Sequence, residues 1–218
     1  YLAVGTERNG LTFIDLGSIE EVKRFEDFGG VSKLLFVMLR IGPCLAICTD
    51  RKGLILVELR SMEEVQRFED FGRVSQILTV EGRSSPMLAV GTATKGLFLV
   101  DTITLTVLRQ YQDLDLVTEL SLVEMRRSTM LVVGGATGMI FFDPASLDEL
   151  KRFKDLKQTT KLVLVAGERV PQFVVGTTMG LTFIDRDDLV ETASFDDLGP
   201  ITKFVCVETP CGPRLAVG

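Results

Sequence analysis

Leu2-Ala3-Val4-Gly5-Thr6-Glu7-Arg8-Asn9-Gly10-Leu11-Thr12-Phe13-Ile14-Asp15 opens the chain, and close relatives of this stretch begin again at Leu45, Leu88, Leu131, Phe173 and Leu215. Self-similarity at a fixed spacing marks a repeat architecture, in which each copy is one supersecondary unit that buries its apolar face against the next. The copies divide the chain into units 2–44, 45–87, 88–130, 131–172 and 173–214, each 42 or 43 residues long, with the start of a sixth at 215–218. The first two share RFEDFG and the Val-Ser that follows it, as after a direct duplication.

Inside a unit the apolar runs are short and broken by turn residues, the pattern of strands and not of helices. Four strands fit; in the second unit they are expected at 45–49, 54–59, 65–69 and 74–80. A glycine recurs in the first turn as Gly10, Gly53, Gly96, Gly138 and Gly180, where a positive φ explains it without any ligand. The second strand ends in Asp15, Glu58, Asp101, Asp143 or Asp185. The third carries Phe25, Phe68, Tyr111, Phe153 or Phe195, expected in the core of each unit, and is followed by Asp27, Asp70, Asp113, Asp155 or Asp197.

Five copies of a four-stranded meander predict an all-β chain and one domain spanning 1–218. The expected fold is a β-propeller with five blades of four antiparallel strands, because radial repetition leaves only short sheet edges. With the innermost strand starting each blade, the inner strands fall at 31–37, 74–80, 117–123, 159–165 and 201–207. The first three strands then lack an inner strand, and 201–207 is expected to supply it, closing the ring with strands from both termini. Leu215 to Gly218 would compete with Leu2 to Thr6 for that place. The order V-x-x-L-x-x-V, L-A-V-G-T-x-x-x-G-L, I-D-L resembles the WD-repeat superfamily in its loosest sense, and the VGT-x-x-x-GL-x-x-ID portion is similar to blades of citron-homology-type propellers. The resemblance implies a scaffold for protein partners and carries over no catalytic residue. With no tryptophan and no histidine, the network that ties WD blades together has no counterpart of that form here.

The net charge of −6 argues against sequence-independent binding to nucleic acid, which needs basic surface to displace counterions. No apolar run is long enough to span a membrane; VSKLLFVMLRIGPCLAI is broken by Lys33, Arg40 and Pro43. Cys44, Cys48, Cys206 and Cys211 form no CxxC pair, so neither a metal nor a cofactor is expected. They read as packing thiols in a reducing, cytoplasmic setting, with a Cys44–Cys211 bridge as the alternative. The start at Tyr1 and the stop within a repeat at Gly218 suggest a trimmed segment, from which a signal peptide could have been removed.

Without histidine, neither a Ser-His-Asp triad nor a Cys-His pair can form. Asp27-Phe28-Gly29 and Asp70-Phe71-Gly72 spell a kinase DFG but lack the other kinase motifs. Gly134 to Gly138 is one more copy of the first turn, not a phosphate loop. The five acids Asp27, Asp70, Asp113, Asp155 and Asp197 could serve a glycosidase, but carboxylates that recur in every unit are better explained by capping the same turn. Lys33, Gln76, Glu119, Lys161 and Lys203 share one inner-strand position and form a candidate axial ring for water or a small anion. The variable loop residues Arg8, Asn9, Arg51, Lys52, Arg73, Lys95 and Lys157 are the candidate partner-binding surface, because recognition concentrates on loops held by a rigid scaffold. Arg40, Arg83, Arg126, Arg127, Arg169 and Arg214 mark a second candidate end. The expected function is therefore a non-catalytic interaction module with a protein partner. A multivalent glycan or small-ligand binder, poor in stacking aromatics, is the alternative, and a carboxylate glycosidase comes third.

Overall fold

A computed structural model describes residues 1–125, 128–165, 171–209 and 212–218. Among these the chain is a succession of antiparallel meanders, and it divides into two compact units, Tyr1–Val117 and Thr118–Gly218. In the first unit, β1 (Leu2–Gly5), β2 (Leu11–Ile14) and β3 (Glu21–Phe25) form a three-stranded sheet. Two four-stranded sheets follow: β4 (Val31–Leu39), β5 (Gly42–Thr49), β6 (Leu54–Glu58), β7 (Glu63–Phe68), then β8 (Val74–Glu81), β9 (Pro86–Thr92), β10 (Leu97–Asp101), β11 (Val107–Tyr111). The boundary of the second unit falls within β12 (Val117–Glu124), whose sheet continues through β13 (Thr129–Gly135), β14 (Gly138–Asp143) and β15 (Asp148–Phe153). Next come β16 (Thr159–Val165), β17 (Gln172–Thr177), β18 (Leu181–Asp185) and β19 (Glu191–Phe195), and last the pair β20 (Phe204–Thr209) and β21 (Gly212–Val217). The expected strands of the second repeat are all present, with ends shifted by a few residues.

These sheets are the blades of a β-propeller, and two expectations about them are corrected. Among the described residues the blade stitched from both termini is not formed: β20 pairs with β21 over Phe204↔Val217 to Thr209↔Gly212, and β1 pairs with β2. Leu215 follows β20 closely in sequence, so the local copy wins the pairing at little cost in loop closure. The inner strand also starts at Phe204 and not at 201, because Ile201 N–H donates to Thr177 O (2.9 Å) while Thr202 and Lys203 N–H both donate to Gly218 O. The second correction concerns the third-strand aromatics, which lie half-buried beside the core and not in it. Phe25 stacks on Phe28 (4.6 Å) and Phe68 on Phe71 (4.9 Å), while Phe195 is 49% exposed.

The core lies between successive sheets. In the first unit Val37, Cys44, Ala46, Leu54 and Leu56 meet Ile77, Leu88, Val90 and Phe98, with Phe71 folded over them. Leu11, Phe13 and Phe28 likewise meet Leu45, Ile47, Ile55 and Val57. In the second unit Val132, Met139 and Phe141 pack on Leu162, Phe173 and Ile184. Because each middle strand is covered on both faces, its sequence is a continuous apolar run such as LILV at the start of β6, without polar alternation.

Hydroxyls link one sheet to the next, a role the sequence left unassigned once tryptophan and histidine were missing. Ser32 Oγ donates to Val74 O (3.1 Å), Ser75 Oγ to Val117 O (2.6 Å) and Thr160 Oγ1 to Ile201 O (2.5 Å), and Thr118 Oγ1 bonds Thr159 O. Each satisfies a carbonyl at the start of the following inner strand or, at Ile201, just before it, and contributes about 1 kcal/mol. Nearby, a Cβ on Gly91 would come within 2.5 Å of Val117 Cγ1, so the glycine of VGT is there for close approach.

The acids that end the second strand hold the next turn. Asp15 Oδ1 accepts Gly17 and Ser18 N–H (2.8 and 2.9 Å), Asp101 Oδ1 accepts Ile103 and Thr104 N–H (2.8 and 2.7 Å), and Asp185 Oδ1 accepts Asp187 N–H (2.8 Å). These bonds keep the carboxyls of Asp15, Glu58 and Asp185 below their ordinary range through turn N–H groups, and that of Asp101 chiefly through the Ser85 hydroxyl. A folded pKa below the unfolded one contributes stability that is complete above the unfolded value, near 4, and is lost as pH falls through the folded value. Urea midpoints should therefore be level from about pH 7 to 5 and fall below about pH 4, and Asp101→Asn should flatten the acid limb. An unchanged acid limb in that variant would refute the assignment.

Candidate functional site

The first turn of a repeat has a fixed frame. Thr49 Oγ1 donates to Gly53 O (2.9 Å) and accepts Lys52 N–H (2.8 Å); Thr92 Oγ1 does the same with Gly96 O (2.9 Å) and Lys95 N–H (2.9 Å). Thr6 Oγ1 accepts Asn9 N–H (2.8 Å), and Thr177 Oγ1 donates to Gly180 O (3.2 Å). The threonine of VGT thus acts as a clamp, a role recoverable from its recurrence but not recognised in the sequence. Inside the clamp the side chains differ from copy to copy and face solvent: Arg8 and Asn9, Arg51 and Lys52, and Lys95 are all exposed. Arg51 lies 3.9 Å from Asp50, too far for a strong pair, while Arg73 is exposed and its carbonyl accepts Ala93 N–H (2.9 Å).

Two of the seven loop residues line grooves between a third-strand turn and the following sheet. In the first unit, Asp70, Lys95, Phe98, Gln110 and Gln112 border a cavity of about 550 Å³. Lys95 Nζ crosses it to the carbonyl of Asp70, and Gln110 Nε2 holds Lys95 O (3.1 Å). In the second unit, Lys157 borders a cavity of about 580 Å³ with Lys151, Lys154, Met179, Glu191 and Asp196. Lys151 and Lys154 escaped the sequence reading. Their signal was a break in the repeat: Lys154 stands where other copies have Glu26, Glu69, Gln112 and Asp196, and Lys157 where they have Gly29, Gly72, Asp115 and Gly199.

The inner-strand set is drawn together in neighbouring pairs. Lys33 Nζ donates to Gln76 Oε1 (2.7 Å) in the first unit, and in the second Lys161 Nζ meets Glu119 Oε1 (3.3 Å), which also accepts Ser121 Oγ (3.1 Å). Lys203 and Lys161 border a small cavity of about 350 Å³ whose other walls include Phe204, Val205 and Ala216. Asp27, Asp70 and Asp113 each sit second in a short 3-10 turn, Glu26–Phe28, Glu69–Phe71 and Gln112–Leu114. None of those turns has a side-chain cap, which corrects the expectation that these acids hold the turn. The N-cap position belongs to Phe25, Phe68 or Tyr111, which has no acceptor suited to it, and Asp27 instead takes Arg67 Nη2 of the next sheet (2.9 Å).

Cys44 and Cys48 are buried free thiols, and burial pushes Cys48 up to about 12, so it packs as a thiol and is no nucleophile at neutral pH. Cys211, the other half of the alternative bridge, lies outside the described residues, as do Arg126, Arg127 and Arg169 of the arginine set; Arg40, Arg83 and Arg214 are described. Among the described residues no helix is long and apolar enough to cross a membrane.

No protein-family model and no curated protein sequence matches the chain. Solved structures do. Sqt1 of Saccharomyces cerevisiae superposes with a TM-score of 0.70 at 12% identity, over 99% of this chain and 65% of that one. A chain of the Mitotic Checkpoint Complex gives 0.63 at 13% identity over 93% and 62% of the two chains. The dihydro-heme d1 dehydrogenase NirN, solved with DHE, gives 0.63 at 16% over 92% and 45%. This chain spans less than two thirds of each. At such identities the likeness establishes the fold alone: a propeller of repeated four-stranded blades.

Proposed function

We propose that the chain is a non-catalytic scaffold that binds a protein partner through its variable turns. One observation carries this reading: the clamp made by Thr6, Thr49, Thr92 and Thr177 keeps the turn backbone in place while the side chains it presents change in every copy. A constant frame with variable content suits recognition, because each turn can be altered without disturbing the sheets. The likeness to Sqt1 and to a chain of a multiprotein complex supports the reading, whereas likeness to NirN, a dehydrogenase, shows that the fold by itself excludes no activity. The partner is expected to be protein and not nucleic acid, given the net charge of −6.

The test is affinity capture from extracts of the cells that make the protein, comparing the chain with an Arg8→Glu/Arg51→Glu/Lys52→Glu variant. A defined set of proteins retained by the chain and lost from the variant is the expected result. Equal retention by both would refute binding through these turns, and turnover of an aryl glycoside abolished by Asp70→Asn would refute the non-catalytic reading.

A further inference from the structure

We propose that the groove lined by Lys151, Lys154, Lys157, Met179, Glu191 and Asp196 is a docking site for an extended segment of a partner protein whose acidic side chains face the lysines. This rests on the interaction reading above and gives it a place and a partner chemistry. The sequence argument is a reversal of charge. The turn after the third strand is EDFG, EDFG, QDLD and DDLG in four copies, and KDLK in the fourth repeat. Residues that merely build the turn follow the repeat. Lys157 does not even serve the backbone, for Gly29, Gly72, Asp115 and Gly199 all have positive φ at this position and Lys157 does not.

The structural argument is what the groove lacks. In the corresponding groove of the first unit, a cavity of similar size, Lys95 reaches across to the carbonyl of Asp70, so its ammonium group is already engaged. The turn that would provide this bridge in the second unit is one residue shorter: the threonine-to-glycine bond spans three residues from Thr177 to Gly180, against four from Thr92 to Gly96. Met179, 47% exposed, is left at the wall. Among the described residues neither Lys154 nor Lys157 makes an ion pair, while Arg152 is held by Glu149 (2.6 Å). Two ammonium groups without an ion pair, that of Lys157 and that of Lys154 within the field of Glu149, therefore border a cavity of about 580 Å³, within the usual range of about 300–1,000 Å³ for ligand sites.

The acids of the lining decide the class of occupant. Asp155, Glu191 and Asp196 would repel a phosphate backbone or a uniformly anionic surface, but suit a peptide that places acids against Lys154 and Lys157, an apolar side chain on Met179 and a basic or polar residue by the acids. Such pairing sets orientation as well as affinity, and it weakens with salt.

The test is selection of a random dodecapeptide display library on the whole chain, followed by affinity measurement of the enriched peptides at low and high salt. The variants are Lys154→Glu/Lys157→Glu and, as a control, Lys23→Glu/Arg60→Glu, with thermal melts to establish that all remain folded. The expected result is enrichment of Asp- and Glu-containing peptides that bind the Lys154→Glu/Lys157→Glu variant roughly tenfold or more weakly, lose affinity with salt, and are indifferent to the control. Enriched peptides that bind this variant as well as the parent would overturn the groove while leaving the interaction reading in place. No enrichment at all would also overturn the groove, while the interaction reading stands or falls on the capture comparison above. Self-association abolished by Lys154→Glu/Lys157→Glu would assign the groove to a second copy of the chain instead.

Discussion

Gly53→Ala should cost about 3 kcal/mol or more, although it adds a single methyl group at a solvent-facing turn. Two costs coincide there. Gly53 has φ +70°, which disfavours any L side chain by about 1–2 kcal/mol. Its added Cβ would also lie 1.8 Å from the carbonyl oxygen of Phe68, and the obstacle is backbone, so relief requires β7 to move away from the turn. Overpacking of this kind typically adds about 1–3 kcal/mol. Gly72→Ala separates the two costs, because Gly72 has φ +65° with nothing within 4 Å of an added Cβ, and should lose only about 1 kcal/mol. Urea melts of both variants check the difference; equal midpoints would mean that the contact with Phe68 does not constrain the turn. Gly180 extends the logic, since it lacks the positive φ but has the same 1.8 Å approach, to Phe195 O.

That glycine also measures what the sequence made legible. Its recurrence at 10, 53, 96, 138 and 180 was enough to place a turn, and the period with its apolar runs was enough to place four strands per repeat. Left-handed backbone at a second turn was not legible, because the residues that adopt it are Ile19, Met62, Leu105, Leu147 and Leu189, not glycines. Ile19 is 82% exposed, but packing explains the apolar residue at three of the others: Met62 is buried in the first-unit core, and Leu105 and Leu189 lie against the cores of their units. Burial there outweighs a conformational cost that composition-based turn reasoning assigns to glycine alone. The terminal strands were misjudged for a different reason. Periodicity ranks copies as equivalent, whereas pairing between β20 and β21 is decided by chain proximity, on which the repeat pattern is silent.

The candidate site was legible only in part, and for a related reason. Lys95 and Lys157 were both picked out as variable loop residues, but variability alone did not distinguish the lysine that is spent on the Asp70 carbonyl from the one that borders its cavity without an ion pair among the described residues. The missing information was a one-residue difference in turn length, visible between Thr92–Gly96 and Thr177–Gly180 once the threonine clamp is known. The inner-strand set was read as one polar, mixed ring, yet Lys33 with Gln76 and Lys161 with Glu119 are pairs that exploit the differences between copies. In a repeat protein the conserved period reports the scaffold, and departures from it report what the scaffold is for.

Phe141→Ala should produce the other large loss, about 3–5 kcal/mol. The Phe141 ring is completely buried at the centre of the second-unit core, with its centroid 5.2 Å from Phe173 and 5.9 Å edge-on to Phe153. Truncation therefore removes its own transfer free energy and leaves a cavity whose neighbours are themselves fixed in sheets, so little collapse can offset it. Phe195 supplies the contrast within the same unit: it also makes an edge contact, with Phe183 at 5.9 Å, but it is 49% exposed, so Phe195→Ala leaves no enclosed void and should cost about 1 kcal/mol. Hydrogen exchange separates the two as sharply as denaturation does. Protection in β13, β14, β17 and β18 should fall together in Phe141→Ala, because these strands share the one core, and should be nearly unchanged in Phe195→Ala. Loss confined to β14 alone would mean that the sheets of this unit open separately, and that the apolar layer between them does not make them one cooperative body.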